Sequence, residues 1–110
     1  MTIRVANRRT HRQDGTTAVY VGRRVVGLAG SPLGNPFRVG PDYPGMAAID
    51  AYAAWLDEQL ADEQSPAARM FASLLRIARR GDLTLICWCA PQPCHADVIK
   101  ARLEARLATE

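Results

Sequence analysis

LTLICWCAPQPCHADVIKARL, residues 83–103, contains all three cysteines and one of the two histidines of a 110-residue chain. Its first part, LTLICWC, is apolar on both faces, the pattern of a central strand covered on both sides. Pro91 and Pro93 break that run and shape a turn. Asp97 then falls in the first turn of a helix whose apolar side is Val98, Ile99, Leu103 and Leu107. A strand, a loop and a helix in this order form a Rossmann-like unit. Open α/β sheets bind ligands beyond the carboxyl ends of such strands.

Upstream, TIRVANRR alternates Ile3 and Val5 against Arg4, a short strand. AVYVGRRVV, residues 18–26, reads as a second strand. The Asp14-Gly15 turn signal between them suggests a hairpin with a long connection. Residues 27–45, GLAGSPLGNPFRVGPDYPG, hold no period and read as a long irregular loop, a kind of segment that often carries function. From Met46 to Leu60 the stripe Ile49, Tyr52, Ala53, Leu56 and Leu60 is helical. Ser65 followed by Pro66 opens a second helix, which Arg79, Arg80 and Gly81 close. Met70 and Leu74 are on its buried side. The expectation is one α/β domain over residues 1–110, with a short mixed sheet, about three helices, and Leu83–Cys87 as the central strand.

The composition sets further bounds. One hundred and ten residues suit one core. No apolar stretch is long enough to span a membrane, and the first ten residues lack the apolar centre of a secretory signal. With an odd cysteine count, this indicates a cytoplasmic protein with free thiols. The net charge is +3, but residues 1–40 place seven arginines against Asp14 alone, a net +6, which leaves −3 for the remainder. Thirteen of the fourteen cationic side chains are Arg, the type that grips phosphate or carboxylate with two donors at once. An anionic partner is one implication; a solvated Arg-rich surface is the plainer one.

Cys87, Cys89, Cys94 and His95 admit three readings. Cys87 and Cys89, two apart on a strand, would point to one face, and Cys94 with His95 would stand at a helix mouth where the potential is positive. The first reading is a reactive thiol: Cys94 or Cys89 as nucleophile, His95 as base or acid, Asp97 as orienting group. The second is zinc, although Cys-x-Cys-x4-Cys-His differs from paired Cys-x2-Cys knuckles. The third makes the cysteines small core residues, Cys87 above all, and His95 a helix-end hydrogen bonder. GSPLGNPF, residues 30–37, offers Gly30, Ser31, Gly34 and Asn35 for positive φ and open backbone N–H groups, a weak anion-binding signal. His11 reads as a solvated loop residue, and Trp55 and Trp88 as packing residues rather than base platforms.

Together, GSPLGNPF and CWCAPQPCHADVI resemble a family of small bacterial and phage proteins, the domain of unknown function numbered 4326. Asn7 and Arg8 match its first strand. Gly30, Pro32, Gly34, Asn35, Pro36 and Phe37 match its loop, and Tyr52 and Trp55 its helical motif. Cys87, Cys89, Pro91, Cys94, His95 and Asp97 match its last element, with Ala96 where the pattern has Gly. The resemblance implies a phage or actinobacterial setting. It implies no activity, but it suggests that the two hallmark segments form one site.

The expected site therefore joins Ser31, Gly34, Asn35, Pro36 and Phe37 to Cys89, Cys94, His95 and Asp97, with Asn7, Arg4, Arg8 or Arg23 at its rim. Its expected occupant is a phosphorylated small molecule, most specifically a nucleotide, with no metal or other cofactor required. Nucleic acid or a host protein are the alternative partners. Neither the reaction, if there is one, nor the oligomeric state is written in the sequence.

Overall fold

The computed structural model describes residues 2–38, 40–90 and 92–110. The chain runs β1 (Ile3–Asn7), β2 (Thr17–Tyr20), α1 (Ala47–Ala61), α2 (Pro66–Arg80), β3 (Leu83–Cys87) and α3 (His95–Ala108). The three strands form one sheet in the order β1-β3-β2, and β3 is central as its sequence demands. Ile3 and Thr17 lie beside Leu83, and Val5 and Val19 beside Leu85.

Two sequence expectations about the sheet are corrected. β1 and β2 do not form a hairpin, because each pairs with β3, which lies between them. The sheet is also parallel throughout rather than mixed. Parallel neighbours need a crossover, and the α1–α2 pair supplies it before β3 is laid down. The connection at residues 8–16 returns across the sheet: Arg4 reaches Asp14 at 3.8 Å, and the Thr16 and Thr84 hydroxyls meet at 2.7 Å. β2 is also shorter than its apolar run, and Val21 adds one last bond, N–H to the Ile86 carbonyl at 3.0 Å.

All five β3 residues are buried, but the two faces differ. Leu83, Leu85 and Cys87 join the main core with Tyr52 and Leu56 of α1, Phe71 and Leu74 of α2, and Ile99 and Leu103 of α3. Thr84 and Ile86 face the other way and stay outside that core. The fold thus has one helical layer, and a strand that reads as covered by helices on both sides is covered by them on one.

The helix ends follow local chemistry. Ser65 Oγ accepts from the Ala68 N–H at 3.0 Å, and Pro66 begins α2, as the sequence predicts. At α3 the N-cap is Cys94, with extended backbone, and Asp97 reaches back to accept from the Cys94 N–H at 2.9 Å. Removing that carboxylate, Asp97→Ala, should lower stability by about 1 kcal/mol through the lost cap and the lost charge at a positive helix end. Urea midpoints check this, and Asp97→Asn should recover part of the loss.

Candidate functional site

The carboxyl ends of β2 and β3, the start of α1, the loop near residue 35 and the mouth of α3 enclose one cavity of about 550 Å³. Residues 22–25 enter it directly after β2, and Trp88 and Cys89 directly after β3. Asn35, Phe37 and Arg38 face it from the loop, and Cys94 and His95 from the helix mouth. The two hallmark segments therefore do meet.

Not every expected residue reaches the cavity. Of the twelve candidates, Arg23, Asn35, Phe37, Cys89, Cys94 and His95 line it. Ser31, Gly34, Pro36, Asp97, Asn7 and Arg8, together with Arg4, are not among its described lining residues, and Pro91 lies outside the described residues. Several of these hold the walls instead. The Asn7 side-chain amide donates to the carbonyls of Trp88 and Ala90 at 3.0 and 2.9 Å, fixing the turn after β3 to the end of β1.

The GSPLGNPF loop is also not the open row of amides that its glycines suggest. Neither Gly30 nor Gly34 has positive φ. The Ser31 N–H donates to Gly22 O at 3.0 Å, and the Gly34 N–H to Ser31 O at 2.9 Å. Ser31 Oγ takes the Leu33 N–H at 3.1 Å, and Asn35 Oδ1 takes the Phe37 N–H at 2.8 Å. These donors are spent within the protein, on the loop and on Gly22. Gly34 sits in close quarters, since a Cβ there would stand 3.0 Å from Gly22 O, tighter than an ordinary contact. The loop is moored from beneath by buried Tyr52, whose hydroxyl donates to Leu33 O at 2.7 Å.

The Cys–His pair is nearly sealed: Cys94 is 2% exposed and His95 8%. His95 Nε2 lies 2.8 Å from Val21 O, an atom that can only accept, so Nε2 carries the proton. In the neutral ring Nδ1 is then an acceptor, facing Cys94 Sγ at 3.4 Å. Burial is the main cause that holds His95 below the ordinary imidazole range. The Cys94 thiol is held above its ordinary value, first by the neighbouring Cys87 thiol and second by burial. Cys87 is correspondingly the lower member, through Cys94 first and then the N–H groups of Ala90 and Cys89.

A helix mouth beside an imidazole suggests an activated thiolate, yet here desolvation and a sulfur neighbour outweigh both. Cys94 and His95 act as a neutral, hydrogen-bonded wall. β3 ends at Cys87, so strand alternation does not carry on to Cys89: Cys87 is buried and Cys89 exposed. Among the described residues, no three His, Cys, Asp or Glu side chains come together as a metal ion would need.

The His95 arrangement has a pH consequence. The group is neutral when folded and its folded pKa lies below the free value of 6.5, so the unfolded chain takes up a proton first as pH falls. Stability should be complete above about pH 6.5 and decline as pH drops below it, until the folded group also protonates. Thermal melting from pH 7.5 to 5 should therefore show a smaller decline in His95→Gln, which can still donate to Val21 O, than in the wild type.

Sequence reasoning missed Arg24, Arg38, Trp88 and Gln92, all of which line the cavity. Arg23-Arg24 interrupting an apolar strand and Arg38 directly after the loop were the available signals. Arg23, Arg24 and Arg38 are three arginines on the cavity's lining, and its described lining holds no carboxylate.

No curated protein and no solved structure matches the chain. No helix among the described residues is long and apolar enough to cross a membrane. The model of the domain of unknown function DUF4326 matches residues 5–105, which carry both cavity-forming segments. On that match the chain belongs to the DUF4326 family.

Proposed function

We propose that the protein binds a phosphorylated small molecule, most specifically a nucleotide, in the cavity between residues 22–25, residues 35–38 and the turn bearing residues 88–89 and 92–95. The observation that carries this is the cavity's chemistry: three arginines, no carboxylate among the described lining residues, and two aromatic rings, Phe37 and Trp88, around about 550 Å³. Guanidinium groups fit phosphate oxygens in pairs, and a concave, largely apolar wall with a few polar groups suits a ligand of nucleotide size. The positive rim also draws anions in from solution. Three free thiols and the bacterial and phage resemblance support a cytoplasmic role.

Binding rather than thiol catalysis is the better reading, because Cys87 and Cys94 are both sealed from the cavity's solvent, at 0% and 2% exposure, and the exposed thiol, Cys89, makes no side-chain hydrogen bond to a histidine among the described residues. Calorimetric titration with a panel of nucleotides and sugar phosphates tests it. Saturable heat with at least one nucleotide supports the proposal. Flat traces throughout, with Cys94→Ser behaving as wild type, would overturn it. Steeply salt-dependent binding of oligonucleotides with none of mononucleotides would replace it by a nucleic-acid function.

A further inference from the structure

Trp88 departs from its expected role as a packing residue. It follows β3 immediately, lines the cavity, and remains 39% exposed. Its ring is nonetheless fixed. The indole Nε1–H donates to Tyr20 Oη at 2.9 Å, and that hydroxyl in turn donates to the Arg23 carbonyl. The Arg9 guanidinium stands over the ring at 5.7 Å. Arg9 is not itself among the described cavity-lining residues. Gly22 makes room for this network, since a Cβ there would stand 2.6 Å from Tyr20 Cζ.

An indole held in this way has spent its only hydrogen-bond donor, and what it offers the cavity is a π surface. Its torsions are already fixed, so stacking a flat ring on it orders little more of the protein. Tyr20 also ties the indole to the backbone of Arg23, so the flat surface is held close to the residue that carries the first cation.

We infer that Trp88 is the platform on which the base of a bound nucleotide stacks, with the phosphate directed to Arg23, Arg24 and Arg38. This rests on the cavity binding phosphorylated ligands and adds the base as a recognised part. Tyr20 is a positioning residue that acts through Trp88.

The experiment is fluorescence titration of the full chain carrying Trp55→Phe, which leaves Trp88 as the single indole. The probes are nucleoside monophosphates, ribose 5-phosphate and inorganic phosphate. A purine monophosphate should quench Trp88 and bind roughly tenfold or more tightly than ribose 5-phosphate, in line with base–aromatic stacking elsewhere. Adding Trp88→Ala, followed by calorimetry, should bring the nucleotide down to the affinity of ribose 5-phosphate, and Trp88→Phe should restore part of the difference. Circular dichroism confirms that each variant is folded. Equal affinity for nucleotide and ribose 5-phosphate, or a Trp88→Ala variant that binds nucleotide as well as its parent, would overturn the base platform while leaving the phosphate cavity standing. No binding of any probe would overturn both.

Discussion

Tyr52→Ala should lower folding stability by about 3–5 kcal/mol, the range for truncating a fully buried aromatic ring. Tyr52 is fully buried, its ring meets His95 edge-on with centroids 5.1 Å apart, and its hydroxyl holds the Leu33 carbonyl of the GSPLGNPF loop. The substitution opens a cavity at the junction of α1, the loop and the mouth of α3. It also leaves a carbonyl unpaired in a buried setting, a penalty included in that range. Tyr52→Phe keeps the ring and removes only the bond, so its cost should be about 1–3 kcal/mol. Because typical domains are stable by only about 5–15 kcal/mol, the alanine variant should unfold at a visibly lower urea concentration. The phenylalanine variant has a second expected effect. The loop loses its mooring, so ligand affinity should fall while the helical circular dichroism signal is retained.

Arg23→Glu combined with Arg38→Glu should weaken nucleotide binding by about 100-fold or more, since a hydrogen bond to a charged group is worth about 1.5–3 kcal/mol and reversal adds repulsion. Both arginines are exposed residues on the cavity's lining, so folding should change little. The loss should be largest at low salt and shrink as salt rises, because exposed charges are screened. Arg69→Glu combined with Arg76→Glu, both exposed on α2 and outside the described cavity lining, makes the same change in net charge and should bind as wild type. Titration calorimetry at two salt concentrations measures both effects. Equal weakening by this α2 pair would mean that overall charge, not the cavity, governs the affinity.

What could be read in advance followed the range of the interactions involved. α2 is announced by Ser65-Pro66 at one end and by Arg79, Arg80 and Gly81 at the other, all local signals, and it forms over Pro66–Arg80. β3 is announced by five consecutive apolar or β-branched residues, and it is the central strand. The partner of β1 was not legible, because Asp14-Gly15 marks a bend without stating which strand the chain returns to. The state of His95 was not legible either, since its proton is placed by Val21, a residue 74 positions away. Cys94 seemed activated by its position at a helix mouth, and only packing reveals Cys87 beside it and the burial of both. Asn35 and Gly34 signalled a special loop correctly, but a sequence does not say whether a turn spends its amides internally. Arg24 and Arg38 carry no periodic signature at all. They become site residues only because the ends of β2 and β3 bring the loop and the helix mouth together.

The central claim is that residues 22–25, residues 35–38 and the turn bearing residues 88–89 and 92–95 close around one ligand. Amide chemical-shift mapping of isotope-labelled protein, titrated with a nucleoside monophosphate, tests it most directly. Expected are shifts in all three stretches that follow one binding curve, with the exposed face of α2 unchanged. Shifts confined to one stretch, different curves for different stretches, or changes centred elsewhere on the molecule would contradict it.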